Sequence, residues 1–190
     1  MNPIDELKTE HRAIEAALDI FVNLAGRLVE SPDEETAADA DRMLAFFRTF
    51  TDTCHHGKEE GHLFPVLEAI GVSRKGGPIG VMLTEHDEGR SHIRNLQQAL
   101  ESCRAGNRSA AADFRAHALQ YRDFLRQHIQ KEDNVLFRIA SERLSEDQLI
   151  ALEKDFERLE NEKIGPGKHE ELHRMLDDFE KKYGGGGANR

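Results

Sequence analysis

Histidine and glutamate recur in this 190-residue chain at spacings that can hold metal. His55-x-x-Lys58-Glu59 and His128-x-x-Lys131-Glu132 each put a carboxylate four residues after an imidazole, one turn along the same helical face. Thr9-Glu10-His11 and Thr84-Glu85-His86 stand before these blocks, and Leu63-Phe64 and Leu136-Phe137 stand after them. The first pair of blocks is offset by 75 residues and the later pairs by 73, so eight identities recur almost in register. The chain is an internal repeat. Imidazole is a good terminal ligand to transition metals, and carboxylates suit hard ions.

The elements that must position these residues are helices. Ser31-Pro32-Asp33, the stretch from Gly71 to Pro78, Gly106-Asn107 and Gly165-Pro166-Gly167 are breaks. Between them the apolar period is helical: Ile4, Leu7, His11, Ile14 and Leu18 share a face, as do Ile79, Met82, His86, Gly89 and Ile93. Phe114, Ala118, Tyr121, Leu125, His128, Glu132, Val135 and Ile139 form a third stripe. No strand-like alternation of useful length occurs. The expected fold is all-α, an antiparallel up-down four-helix bundle of two hairpins with an additional C-terminal helical segment. The expected organisation is a bundle over residues 1–142, a packed helical segment over 143–183 and a flexible Gly-rich tail over 184–190.

Height along the bundle brings the histidines together. His11 precedes the first break by about 20 residues, and His55 follows the start of its helix, near residue 35, by as many. His86 precedes Gly106 by 20 residues, and His128 follows Asn107 by 21. Equal distances from a turn mean equal height, here roughly 30 Å at ~1.5 Å per residue. Four imidazoles and two carboxylates in a dry core are costly without a counter-charge. A single zinc would use about four of them and strand the rest, and mutual satisfaction of all six is the bland alternative. A carboxylate–histidine pair of metal ions uses them all.

Composition narrows the function. Asp and Glu number 36 against 26 Lys and Arg, a net charge of −10, so phosphate-mediated binding of nucleic acid is not expected. No run approaches the ~18 apolar residues of a membrane span, and Met1 to Glu6 lack the layout of a signal peptide. A cytoplasmic location is expected. Two cysteines, Cys54 and Cys103, make no disulfide framework; at ~25 Å apart along the axis they read as core fillers.

The chain resembles the hemerythrin-like, HHE cation-binding family over about residues 3–141. The resemblance lies in Glu10-His11-Arg12, His55-His56-Gly57-Lys58-Glu59-Glu60 leading to Leu63-Phe64-Pro65, Glu85-His86-Asp87, and His128-Ile129-Gln130-Lys131-Glu132 leading to Leu136-Phe137. It implies a non-haem di-iron centre, oxo- or hydroxo-bridged, with His11, His55, His86 and His128 as terminal ligands and Glu59 and Glu132 as bridges. His56-Glu60 is a shifted version of the same spacing, but His128 is followed by Ile129, which favours His55-Glu59 and leaves His56 and Glu60 as neighbouring or solvated residues. The family's oxygen carriers carry a second histidine where this chain has Arg90, and an aspartate where it has Glu132. About ten of twelve octahedral positions are then filled, roughly one open on each iron. Such a site is similar to the iron-centre repair and nitric-oxide-responsive bacterial members and to the iron-sensing domain of an F-box protein. It implies a small diatomic or peroxide ligand, O2, NO or peroxide. An iron-handling or iron- and redox-sensing protein without turnover, or an oxygen store, fits the same residues; no protein partner is indicated.

Around the ligands, Gly89 is either a close helix contact or a vacancy beside the metal, and Tyr121 either core or a hydrogen-bond donor to a bound oxygen species. His62 and His117 fall off the ligand level, and Glu153 to Glu162 read as a solvated face. After the break at Pro166, His169 and His173 stand at i, i+4. They are surface residues, or one of them reaches a vacant metal position or gates it.

Overall fold

A computed structural model describes residues 1–107 and 109–184, and these residues form helices with no strand among them. Helix α1 spans Pro3–Glu30; the Asn2 side chain accepts from the Ile4 amide, and Pro3 sits where no intrahelical donor is needed. Helix α2 covers residues 34–69, capped by Asp33 on the Thr36 amide. It begins as α-helix over Glu34–Phe46, widens to π-helix over Phe47–His56 and Glu59–Leu63, and closes as α-helix over Phe64–Ala69. Helix α3 is Pro78–Arg104. Helix α4 covers residues 110–143, with one wide turn over Glu132–Leu136 between Ala110–Lys131 and Phe137–Arg143. Each of α1 and α3 packs on both α2 and α4, the cyclic arrangement of an up-down bundle.

The segment after the bundle is helical too. Helix α5 covers residues 146–164 and opens with a capping box between Ser145 and Gln148. Gly165 and Gly167 both have positive φ, 94° and 76°, which lets the chain reverse around Pro166 into α6, Lys168–Tyr183. Of the Gly-rich tail only Gly184 lies within the described residues.

The apolar interior is divided in two. One cluster lies toward the α1–α2 and α3–α4 turns and includes Phe21, Phe47, Phe114 and Leu100, with Leu172, Leu176 and Phe179 of α6. The other lies toward the opposite end and includes Leu7, Phe64, Ile79 and Phe137, with Leu152 and Phe156 of α5. The expected stripe of α4 needs one correction. Val135 is 45% exposed, and Leu136, Phe137 and Ala140 face inward. The wide turn after Lys131 adds one residue to the turn, so a strict 3.6-residue period slips by one place there.

Candidate metal centre

Between the two apolar clusters lies a belt of buried polar side chains: His11, His55, Glu59, His86, His128 and Glu132 are each 2% exposed or less. Helices α1 to α4 supply one histidine each, all at one height, and the two glutamates come from α2 and α4 one turn beyond. Their inner atoms converge. Glu132 Oε2 is 3.3 Å from His11 Nε2 and 3.2 Å from His128 Nε2, and its Oε1 is 3.6 Å from His86 Nε2. Glu59 Oε1 is 3.6 Å from His55 Nε2, and Oε2 is 3.5 Å from His86 Nε2. Each carboxylate therefore lies between the His11–His55 pair and the His86–His128 pair.

None of these inner atoms is hydrogen-bonded. The four Nε2 atoms and all four carboxylate oxygens are buried without a partner. Orphaned buried polar atoms are rare, because each forfeits its hydration for nothing. Eight of them aimed at one point fit a cation site, since nitrogen and oxygen lone pairs are what a metal ion takes up.

The outer nitrogens show how the rings are aimed. His11 Nδ1 lies 2.8 Å from Asp133, His55 Nδ1 2.8 Å from Glu10, His86 Nδ1 2.7 Å from Glu60 and His128 Nδ1 3.0 Å from Glu85. A carboxylate at Nδ1 accepts the ring proton there and leaves the Nε2 lone pair facing the centre. Behind each carboxylate stands a cation: Lys58 on Glu10 at 2.6 Å, Arg90 on Glu60 at 2.7 Å, Lys131 on Glu85 and Arg12 on Asp133. Hydrogen bonding from His128 holds the Glu85 carboxyl below its ordinary value. Burial opposes the same shift at Glu60 and Asp133, but the bonds from His86 with Arg90, and from His11 with Arg12, prevail. In the belt itself burial and then the neighbouring Glu132 push Glu59 up, while His128, His11 and His86 overcome burial and hold Glu132 down.

The supporting role of these four carboxylates lies outside the sequence reading, in which Glu10 and Glu85 are repeat identities and Glu60 a neighbouring or solvated residue. Their signal is adjacency: Glu10 and Glu85 directly precede a histidine, and Glu60 and Asp133 directly follow a glutamate. One residue along a helix turns the side chain by about 100°, from the bundle axis toward the neighbouring helix. Lys58 belongs with them, wholly buried and also 2.6 Å from Glu6 and Glu160. Glu160 is thus not on a solvated face.

His56 is buried beside His86, and Glu60 serves His86. His62 lies near Asp155 and Phe156, and His117 is half-buried; neither reaches the belt. Burial pushes the Cys54 thiol up to about 12, so it rests as a protonated core residue, and Cys103 is partly buried. His169 groups with Glu10 and Glu160, stacked on Phe50, and His173 meets the edge of the same ring. Neither belongs to the groups formed by the belt residues. A cleft of ≈ 520 Å³ lies between α2 and α3 on the turn side of the belt, lined among others by Phe47, His56, Gly89, Ile93 and Tyr121 but by none of the six belt residues. A Cβ on Gly89 would meet only Phe124, at an ordinary 3.6 Å, so helix packing does not demand glycine there.

Among the described residues no helix is long and apolar enough to cross a membrane. The chain is 30% identical over 134 residues to the iron-sulfur cluster repair protein DnrN of Neisseria gonorrhoeae, covering 69% of this chain and 84% of that one. An uncharacterized protein of Mycobacterium tuberculosis is 23% identical over 180 residues, 95% of this chain and 69% of its own length, and one of Mycobacterium bovis matches equally. The family model for the hemerythrin HHE cation binding domain matches residues 2–140. With a helical bundle closed around a buried His/Glu cluster, this chain belongs to the hemerythrin HHE cation-binding family.

Proposed function

We propose that the belt holds two iron ions and that the protein binds or reacts with O2, NO or peroxide. The observation that carries this is the set of eight orphaned ligand atoms around one point. His11 and His55 would hold one ion, His86 and His128 the other, with Glu59 and Glu132 between them. The ion pair would supply reversible ferrous–ferric exchange and open coordination positions. The side chains supply the rest. Four carboxylate–imidazole pairs keep the ligands aimed, with Nε2 toward the centre, and the apolar clusters on either side exclude bulk water. The cleft at Gly89 and Tyr121 admits a molecule of diatomic size, with the Tyr121 hydroxyl as a candidate donor to it.

A second reading is supported by the likeness to the repair protein DnrN: the centre hands iron on rather than turning over an oxidant. Purified from iron-replete cells, the protein is expected to hold about two irons per chain. Glu59→Ala or Glu132→Ala should empty the site more completely than Glu60→Ala, because a bridge serves both ions. Stopped-flow mixing of the reduced protein with O2, NO and H2O2 separates the readings. A stable adduct indicates storage, rapid reoxidation an enzyme, and indifference to all three with release of iron to a chelator indicates handling. A single zinc with no iron uptake would falsify the di-iron assignment.

A further inference from the structure

The centre carries one more histidine than the repeat accounts for. His56 is 5% exposed, and its ring lies on that of His86 with centroids 3.8 Å apart and planes 11° from parallel. Ring nitrogens of His56, His86 and His128 lie within 4.8 Å of one another, while His11, His55, Glu59 and Glu132 form a second group on the same scale. One half of the centre is thus three imidazoles, the other two imidazoles and two carboxylates.

On its Nδ1 side His56 repeats the surroundings of the other four, although its Nε2 is not among the orphaned buried atoms. Its Nδ1 lies 3.3 Å from Asp52, and Asp52 in turn accepts a 2.8 Å hydrogen bond from Arg90. Imidazole, carboxylate and cation follow in the order found at His11, His55, His86 and His128. The same guanidinium bonds Glu60 behind His86, so Arg90 supports two histidines at once.

The backbone supplies an independent reason. On an α-helix consecutive side chains diverge by about 100°, which would turn His56 further from the axis than a wider winding does. Residues Phe47–His56 are π-helical, with more residues per turn and a smaller angle between neighbours. The matching turns of α4 are α-helical up to Lys131, and there His128 is followed by Ile129. The winding that the second half lacks coincides with the histidine that it lacks.

We propose that His56 is a fifth histidine ligand, completing the ion that His86 and His128 hold; this rests on the metal reading above. Arg90 then stands where the oxygen carriers have a histidine, and orients one from the neighbouring helix instead. About eleven of twelve octahedral positions would then be filled.

Cobalt(II) loading of the full chain tests this by proton NMR. Each imidazole bound through Nε2 to a paramagnetic ion gives a strongly shifted Nδ1–H resonance that disappears in D2O. Five such resonances are expected in the parent protein, and His56→Ala should lose one and keep the others. Asp52→Asn should keep five but shift the same resonance or speed its exchange, which provides a reading if His56→Ala does not fold. Four resonances in the parent, all untouched by either substitution, overturn the role of His56 and leave the metal centre standing. No shifted resonance at all overturns both.

Discussion

A histidine ligand is only as good as the group behind it. The Glu85 carboxylate accepts from His128 Nδ1 and is held by Lys131. Replacing it with glutamine keeps the shape and removes the charge that makes the imidazole a stronger donor. Glu85→Gln should weaken metal binding about 10–100-fold while leaving the metal-free fold intact, as read by competition with a chelator and by circular dichroism. An unchanged affinity would show that His128 needs no support. The six belt residues were legible in the sequence because type, spacing and repeat all pointed the same way. Their supports were written beside them and were harder to read, since a glutamate in a chain of 36 acidic residues has no distinguishing mark. Lys58 shows the same difficulty in reverse. It is the position matched by Lys131 in the repeat, yet nothing in the sequence shows it to be fully buried while Lys131 is 46% exposed.

Helix identity and order followed from apolar period and from the Gly- and Pro-rich breaks, but helix winding did not. Wide turns have no composition of their own, so Val135 read as an inward residue although it faces solvent. The two short wide turns, Glu59–Leu63 and Glu132–Leu136, stand at equivalent places in the two halves and begin on the two central glutamates. Such turns are strained relative to α-helix and cluster at functional sites. Asn134 is an exposed residue of the second one. Deleting it should return α4 to a regular winding with Leu136, Phe137 and Ala140 still facing the core. The expected outcome is an unchanged or higher melting temperature and metal affinity reduced by about tenfold or more. Full metal binding in the deletion variant would show that the wide turn plays no part in aiming Glu132 and Asp133.

At the scale of the whole molecule the C-terminal helices span the centre, α5 joining one apolar cluster and α6 the other. The far end of α6 is fastened by ions: Asp39 accepts from Lys182 at 2.6 Å and from Tyr183 at 2.7 Å. Burial raises the Asp39 pKa, but these two hydrogen bonds outweigh it and hold the carboxyl below its ordinary value of 3.8. A carboxylate depressed in the folded state stabilises fully above its ordinary value, and the benefit is lost as pH falls through the folded value. Hydrogen-exchange protection of α6, taken relative to the intrinsic rate at each pH, should therefore fall as pH drops below about 4, more than that of α3. Asp39→Asn should show the faster exchange already at neutral pH; equal protection of α6 in parent and variant would sink this account. The ring of supporting carboxylates has a further consequence, one of ancestry. Within each half, one histidine is supported from its own hairpin, His55 by Glu10 and His128 by Glu85. The other is supported from across the molecule, His11 by Asp133 and His86 by Glu60. That reciprocity is the signature of an isologous contact, in which two copies of one surface complete each other. A single hairpin of this kind holds half a centre and must find its twin, so the present chain has the form of a two-fold dimer whose subunits have been joined end to end.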